Sequence, residues 1–289
     1  MSERTLLVVR AGALTSVQDE GRHGHAHLGV PRSGALDLPA ARLANRLVGN
    51  APGAAVLETT LNGCALRARC AVTVAVTGAP CPVRLDGRPA AWGAPVRVPE
   101  GGVIEVGAAT YGVRSYVAFA GGVAVEPVLG SRSTDLLSGL GPAPLSDGTV
   151  LPLGRPAGAP LYADQALPPG VPTELVLRVR PGPRADWFTP DAPAVLAGGR
   201  YRVSSSSNRI GLRMEGPPLA RAVGGELPSE GMVLGAVQVP PDGQPVVFLA
   251  DHPTTGGYPV IGVVLEEDLA GAGQGGVGVG VRFVLDQWG

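Results

Sequence analysis

Glycine and proline interrupt this chain at short intervals, which restricts it to short regular elements. The 44 glycines and 29 prolines make up about a quarter of the 289 residues. Such a proportion can accompany disorder. Here, however, the intervening residues are mostly valine, leucine and alanine, and the mean hydropathy is +0.21. The sequence therefore predicts a folded, turn-rich β protein that is long enough for a substantial core.

Short apolar runs recur between the turn signals in both halves of the chain. Strands this short and frequent favour barrels or sandwiches over βαβ units, so we predict an all-β fold with a few short helices. The runs are Leu6–Val9, Val72–Val76, Val103–Val106, Val113–Phe119, Leu175–Val179, Val260–Leu265 and Val281–Leu285.

One helix is predicted over residues 38–48. Asp37 is a good N-cap, Pro39 suits the first turn, and Gly49 follows as a stop. Between Gly139 and Pro172 the chain is rich in glycine, proline and alanine without periodicity, as in a linker. The sequence thus predicts two β domains, residues 1–165 with the helix and residues 172–289.

Charge and hydropathy exclude several classes of protein. The formal net charge is −1 and only 16% of residues are charged, so no basic footprint for nucleic acid is present. The apolar runs are far shorter than the roughly 18 residues that span a membrane. No charged segment followed by an apolar one opens the sequence, and we expect a cytoplasmic protein. Its cysteines, Cys64, Cys70 and Cys81, lack a C-x-x-C spacing and are expected to be reduced.

The sequence contains no lysine, and all 23 basic residues are arginine. A biotin or lipoyl group needs a lysine amine for its attachment, so this chain carries neither. The same absence excludes Schiff-base chemistry and a P-loop. If biotin or ATP takes part in the reaction, a partner chain must supply much of its handling.

Residues 229–258 contain the densest polar cluster. Val233–Val237 and Val246–Leu249 are predicted strands around a Pro-Pro-Asp-Gly turn. Eight positions then hold the polar residues Asp251, His252, Thr254, Thr255 and Tyr258 together with Gly256 and Gly257. Such a cluster is either a polar loop at a strand end or a site for a small polar ligand.

As a site, this cluster has the groups needed to recognise an amide. Asp251 can accept a hydrogen bond from an N–H group, and Asn208 can donate one to a carbonyl oxygen. The hydroxyls of Thr254 and Thr255 and the backbone amides of Gly256 and Gly257 are further donors, while Glu230 and Gln238 are candidate supporting groups. Such donors stabilise charge that develops on a carbonyl oxygen, each by about a few kcal/mol. We predict Asp251, Asn208 and Glu230 as catalytic residues.

The first half offers a second group of candidates. Gln18 and Asp19 precede Arg22, whose guanidinium either pairs locally with Asp19 or binds a ligand carboxylate. Ser33 and Gly34 lead into the predicted helix start, which is either capped by Asp37 or open to an anion. Asn45 lies at the edge of the helix's apolar stripe, where a structural hydrogen bond is the more common role.

Other catalytic arrangements have little support. His23, His25 and His27 would share one face of a strand, but no carboxylate or cysteine completes a metal site, and none is predicted. His252 is a weak candidate for a general base. Neither a G-x-S-x-G motif nor a Ser-His-Asp order is present, so nucleophilic catalysis is not supported.

The chain resembles the biotin-dependent carboxyltransferase family, also called the allophanate hydrolase subunit 2-like family. The resemblance runs almost from end to end. It includes Thr15–Arg22 (TSVQDEGR), Gly29–Asp37 (GVPRSGALD), Ala44–Asn50 (ANRLVGN), Leu57–Thr60 (LETT), Tyr116–Gly122, Leu129–Ser133 (LGSRS), Ser207–Arg213 (SNRIGLR) and Ser229–Tyr258.

The resemblance implies a cyclophilin-like β-barrel in each domain. It also implies that Asn45 faces the ligand, and that Asn208 and residues 251–258 converge with the 18–22 loop on one hollow. The family includes components of bacterial 5-oxoprolinase, which implies ATP-dependent opening of 5-oxo-L-proline to L-glutamate. In that case Asp251 and Asn208 would bind the lactam edge, and Arg22 or Arg209 its carboxylate.

Two alternatives also follow from the resemblance. One is a carboxyltransferase that moves CO2 from carboxybiotin, held on a separate carrier, to urea or a related amide. The other is a regulatory protein that antagonises a kinase inhibitor. The expected partners are an allophanate hydrolase subunit 1-like chain and, for 5-oxoprolinase, a third subunit. ATP would be handled together with those partners.

Overall fold

The computed structural model describes residues 4–162, 164–170, 173–225 and 227–286. It confirms the prediction of an all-β protein with a few short helices. The described residues divide into two compact units. The first contains residues up to 22, 33–135 and 139–170, and the second contains residues 23–32, 136–138 and those from 173 onward.

The strands of the first unit form two antiparallel sheets. The six-stranded sheet has the order β11-β1-β4-β9-β6-β7, and the five-stranded sheet has the order β2-β3-β10-β5-β8. The strand bounds are β1 Thr5–Arg10, β2 Leu14–Gln18, β3 Val56–Thr60, β4 Ala65–Ala68, β5 Val72–Gly78, β6 Val83–Leu85, β7 Arg88–Ala90, β8 Val96–Val98, β9 Val103–Val106, β10 Arg114–Phe119 and β11 Val150–Pro152.

The five-stranded sheet is buried on both faces. Val117 and Phe119 of β10 join a core that contains residues of both sheets. Tyr116 and Ala118 point the other way and pack in a second cluster with helix α1, Leu38–Leu47. This alternation follows from the two-residue period of a strand. It explains why β10, which is buried at all six positions, reads as a nearly continuous apolar run.

Helix α1 confirms the prediction made from its end signals. The Asp37 carboxylate accepts a hydrogen bond from the Ala40 amide at 3.0 Å, and proline occupies the first turn. The helix ends at Leu47 with Val48 as its C-cap, and Gly49 then takes a φ of 78°. Part of the predicted linker is instead structured, because β11 pairs with β1 through Leu6↔Leu151.

The second unit contains a closed barrel with the order β12-β19-β16-β17-β14-β13-β20. Its first and last strands pair in parallel, with Leu175 opposite Val281. The bounds are β12 Leu175–Pro181, α2 Ala192–Gly198, β13 Tyr201–Val203, β14 Gly211–Glu215, β15 Glu230–Gly231, β16 Ala236–Gln238, β17 Val246–Phe248, β18 Thr255–Gly256, β19 Val260–Val264, α3 Glu266–Gly273 and β20 Gly280–Leu285. No helix among the described residues combines the length and hydropathy needed to span a bilayer.

The predicted hairpin in residues 233–249 is present but shorter than expected. β16 and β17 pair antiparallel, and the Gly243 amide closes their turn on the Pro240 carbonyl at 3.0 Å. The first strand begins at Ala236 rather than Val233, because Gly235 adopts a φ of 82°, which breaks an extended backbone. Val233 is consequently 54% exposed.

Candidate functional site

A buried ion pair anchors the start of the 251–258 segment. Arg209 lies just before β14 and Asp251 lies just after β17, and the pairing of these strands brings the two residues together. Arg209 donates through Nε and Nη2 to the two Asp251 oxygens at 2.9 and 3.0 Å. Both side chains are fully buried. The Leu136 amide donates to the same carboxylate at 3.2 Å. Two predicted ligand-binding groups therefore bind each other.

His252 is also buried and held within the unit. Its Nδ1 lies 2.8 Å from the Pro253 carbonyl oxygen, and because a carbonyl only accepts, Nδ1 carries the proton. The imidazole stacks on Phe248 at 5.8 Å between ring centroids. These contacts hold the imidazole within the loop, and a role as general base stays a prediction.

The segment from Thr254 to Tyr258 is fixed through its backbone. β15 and β18 pair with Glu230 opposite Gly256, and Met232 donates to the Thr254 carbonyl at 2.9 Å. The buried Gln238 donates to the Tyr258 carbonyl at 3.2 Å. A methyl group at Gly256 would lie 2.8 Å from the Gln238 Nε2 atom, so a larger residue there would require the Gln238 side chain to move.

Glu230 is bound by an arginine that sequence reasoning did not identify. Arg184 donates through Nε to both Glu230 oxygens at 3.0 and 3.1 Å, and its Nη2 bonds the same carboxylate. This hydrogen bonding lowers the pKa of the Glu230 carboxyl. Glu230 is therefore an ionised group on β15, the strand that pairs with β18 of the 254–258 segment, and its predicted catalytic role stays a prediction.

Three side chains of the predicted amide site face solvent. Thr255 and Asn208 are exposed, and the Tyr258 ring is 42% exposed. The Asn208 Oδ1 atom accepts hydrogen bonds from the Ile210 and Gly211 amides at 2.8 and 3.3 Å. Its amide nitrogen is thereby oriented as the donor end of the side chain.

Asp19 is enclosed by the loop that follows β10. Its carboxylate accepts hydrogen bonds from the Ser131 and Ser133 hydroxyls and the Arg132 amide, each at 2.6 Å. The Gly21 amide donates to it at 2.8 Å. Four donors occupy this carboxylate, so its role in the described structure is to hold the 131–133 loop.

Gln18 and Arg22 bind the same loop through its carbonyl oxygens. Gln18 is fully buried and donates to the Thr134 carbonyl at 3.1 Å. Arg22, which is 2% exposed, donates to the Val128 carbonyl at 3.1 Å and also to that of Ser133. The guanidinium predicted to bind a ligand carboxylate is thus embedded among backbone acceptors.

The start of α1 already contains a buried carboxylate. Glu58 accepts hydrogen bonds from the Leu36 amide at 3.0 Å and from the Tyr116 hydroxyl at 2.8 Å. The Asp37 amide donates to that hydroxyl at 2.7 Å. Burial, followed by the Glu58 charge, raises the pKa of Tyr116 well above its usual value, so the phenol stays protonated and donates. The helix start was predicted to be either capped by Asp37 or open to an anion. The structure shows the Asp37 cap, and the Glu58 carboxylate accepts from the Leu36 amide beside it.

Ser33, Gly34 and Asn45 have structural contacts. Ser33 takes a φ of 55° and its hydroxyl donates to the Thr134 carbonyl at 2.8 Å. Gly34 takes a φ of 99°, which favours glycine. Asn45 donates to the Ala54 carbonyl at 2.7 Å and accepts from Asn50 at 2.9 Å. These contacts hold Asn45 within the first unit, and its predicted contact with a ligand stays a prediction.

The three clustered histidines do not form a strand face. His23 lies in a turn, and His27 lies in the 3-10 helix Ala26–Leu28. Within the part of the chain that the structure describes, no group of three or more His, Cys, Asp or Glu side chains is arranged to hold a metal ion.

Sequence reasoning missed the network of Glu58, Tyr116 and Arg114, in which the Arg114 Nε lies 3.4 Å from Glu58. A signal was available, because Arg114 lies inside a predicted strand, and a charged residue there needs a partner. The 18–22 loop belongs to the first unit and Asn208 with residues 251–258 to the second. Their convergence on one hollow stays a prediction.

The described chain thus combines a closed β-barrel that holds the buried Arg209–Asp251 pair with a unit of two antiparallel sheets. The chain belongs to the family described as "Carboxyltransferase domain, subdomain A and B", which it matches over residues 28–285. This match and the relatives below confirm the family inferred from the sequence.

Three relatives illustrate the range of proteins that contain this domain. The chain is 39% identical to a subunit of the Escherichia coli 5-oxoprolinase, over 96% of this chain and 90% of that protein. It is 34% identical to the Saccharomyces cerevisiae "Urea amidolyase", over 94% of this chain but only 16% of that protein. The crystal structure of the K. lactis urea amidolyase superposes with a TM-score of 0.91 at 32% identity, over 99% of this chain and 19% of that one.

Proposed function

We propose that this chain is a subunit of an ATP-dependent 5-oxoprolinase, which opens 5-oxo-L-proline to L-glutamate. One observation carries the proposal, namely the match to the E. coli 5-oxoprolinase subunit over nearly the full length of both chains. The urea amidolyases match only as a small part of a much longer protein. The proposal therefore rests on the relative that this chain matches over most of that relative's length.

The proposed reaction requires energy because the lactam is resonance-stabilised. ATP would phosphorylate the lactam oxygen and leave as ADP. One water would then add to the activated carbon and the ring C–N bond would break to give an acyl phosphate, which a second water would hydrolyse to glutamate and phosphate. The chain lacks lysine, so the usual P-loop is absent and we assign ATP handling to the assembled complex. The proposed partners are an allophanate hydrolase subunit 1-like chain and a third subunit.

We assign the substrate amide to the exposed side of residues 254–258. The Thr254 and Thr255 hydroxyls, the Gly256 and Gly257 amides and the Asn208 side chain supply donors for the lactam oxygen. Preorganised donors of this kind stabilise the charge that grows there.

The buried groups behind this strip are assigned positioning roles. Asp251 and Arg209 hold the start of the segment, while Gln238 and Glu230 hold its other side. Asp251 therefore acts through the segment rather than by direct contact with substrate. Rigid support of this kind keeps donor groups within the narrow tolerance that catalysis requires.

The test is glutamate release from 5-oxo-L-proline and ATP by the chain copurified with its two presumed partners. Thr255→Val removes an exposed hydroxyl while keeping the branched shape, and it should lower kcat/KM about tenfold or more. Thr173→Val is the matched control, because Thr173 is an exposed threonine of the same unit, and it should leave the rate unchanged. Absence of glutamate with every partner combination would remove the assignment.

A second candidate, a carboxyltransferase acting on urea or a related amide, is favoured by the family description itself. In that case a separate biotinylated carrier must deliver the carboxyl group. Labelled bicarbonate, ATP and the copurified proteins would then give acid-labile label on the amide, and avidin would block the transfer. A complex that releases glutamate and is insensitive to avidin rejects this candidate.

A further inference from the structure

The substrate of the proposed reaction carries a carboxylate, and the two arginines predicted to bind it are engaged elsewhere. Arg209 is fully buried against Asp251. Arg22 donates to backbone carbonyls of the 128–133 loop. Neither guanidinium presents a free edge to solvent. A carboxylate-binding arginine must therefore be sought among the other side chains near the 254–258 segment.

Arg221 has the required features. Its guanidinium carbon lies 5.7 Å from the centroid of the Tyr258 ring, which places it beside the proposed substrate strip. Nη2 donates to the Val239 carbonyl, and Nε is buried and finds no acceptor within the described ranges of the chain. Among the described residues no carboxylate forms an ion pair with Arg221, whereas Arg184 and Arg178 are each paired with an acid.

The backbone around Arg221 is fixed on both sides. Leu219 donates to the Gly243 carbonyl at 2.9 Å, and Ala222 donates to the Trp187 carbonyl at 2.9 Å. Arg221 itself forms an antiparallel bridge with Phe188. The Nη2 hydrogen bond and the neighbouring Tyr258 ring already hold the guanidinium, so binding a ligand requires little further ordering.

A surface pocket of about 330 Å³ adjoins this guanidinium, and it is lined by residues 218–221 and 241–243. The pocket volume exceeds what a five-membered lactam acid needs. Asp242 lines the same pocket, and its Oδ1 accepts the Gln244 amide at 3.0 Å. The pocket therefore combines a cation, which complements the carboxylate of a lactam acid, with an acceptor for its uncharged ring N–H group.

We propose that Arg221 and Asp242 form the binding site for a cyclic amide acid, with the substrate carboxylate on Arg221 and the ring N–H on Asp242. The inference rests on the proposed 5-oxoprolinase function, since it assigns the substrate's two polar ends. An arginine suits the carboxylate because its planar fork offers parallel N–H donors. The Tyr258 ring lies against the same guanidinium, within cation–π distance.

The test compares two ligands that differ only in the carboxylate, 5-oxo-L-proline and 2-pyrrolidinone. Their affinities are measured by calorimetric titration of the full chain, and KM for 5-oxo-L-proline is measured in the assembled complex. Arg221→Gln should weaken 5-oxo-L-proline binding about tenfold to a hundredfold and leave 2-pyrrolidinone unchanged. Asp242→Asn should weaken both ligands, because both carry the N–H group.

Arg202→Gln is the matched control, since Arg202 is an exposed arginine of β13 in the same barrel, and it should change neither affinity. If Arg221→Gln unfolds, Arg221→Lys keeps the charge without the fork and should weaken only 5-oxo-L-proline. Three results would overturn the site. They are equal weakening of both ligands by an Arg221 variant, an unchanged affinity of that variant for 5-oxo-L-proline, and no binding of either ligand by the wild-type chain and complex. If the chain binds both ligands as expected but the complex releases no glutamate, the proposed reaction is refuted and the binding site is not.

Discussion

Removal of the Asp251 carboxylate should destabilise the second unit strongly. Asp251 accepts two hydrogen bonds from Arg209 at 2.9 and 3.0 Å and one from the Leu136 amide, and neither charged side chain is exposed to solvent. In Asp251→Ala the guanidinium stays buried without this carboxylate. Breaking a buried pair in this way costs about 3–5 kcal/mol, which at about 3 °C per kcal/mol lowers Tm by roughly 10–15 °C.

The assay is urea and thermal unfolding of the wild type, Asp251→Ala, Asp251→Leu, Arg209→Met and the double variant Arg209→Met/Asp251→Leu, in which the Leu and Met single variants complete the cycle. Apolar replacement of both partners removes the stranded charge, so the double variant should be considerably more stable than the sum of the single losses implies. The reasoning is refuted if Asp251→Ala costs less than about 1 kcal/mol, or if the two single losses add.

This cost affects how activity data are interpreted. An inactive Asp251→Ala protein would not by itself distinguish an enzyme from an interaction protein, because unfolding abolishes either function. The exposed Thr255 gives a cleaner comparison, since its hydroxyl can be removed without stranding a buried charge.

Three further predictions follow from the protonation states. Burial raises the pKa of Cys64 to about 12, so a thiol reagent at pH 8 should modify only the half-buried Cys70 in the folded protein; a second fast-reacting thiol would contradict this. The Arg184 hydrogen bond lowers the pKa of Glu230 below its usual value of 4.5, so its stabilising effect is present above that pH and lost as the pH falls through the folded-state pKa. The stability difference between wild type and Glu230→Gln should therefore vanish in acid, and a pH-independent difference would reject the ion pair. Tyr116→Phe removes the hydroxyl that joins a buried carboxylate to the start of α1, and should cost about 1–3 kcal/mol in urea unfolding; a loss below about 0.5 kcal/mol would argue against the network.

Local features of the sequence predicted local structure well. Helix α1 was predicted because Asp37, Pro39 and Gly49 act within a few residues of its ends. The turn after β16 was predicted for the same reason, since Asp242 and Gly243 determine it directly. The strand boundary at Ala236 was missed, because Gly235 looks like a strand residue unless its φ is known.

The functional groups were harder to interpret because their partners are distant in sequence. Arg209 and Asp251 lie 42 positions apart, and each alone suggests a ligand-binding charge. Their pairing depends on the register of β14 and β17, which the apolar pattern does not specify. Glu58 illustrates the same limit, since its donors come from residues 22 and 58 positions away.

The parallel pairing of β12 with β20 affects the order of events during synthesis. These strands are joined through Leu175 and Val281, and the chain between them contains the rest of the barrel. The ring cannot close before residue 285 has left the ribosome, so this unit must complete its fold after the first unit's strands are available. Contacts of such long range form slowly, and until then both strand edges are open to chaperones or to neighbouring nascent chains.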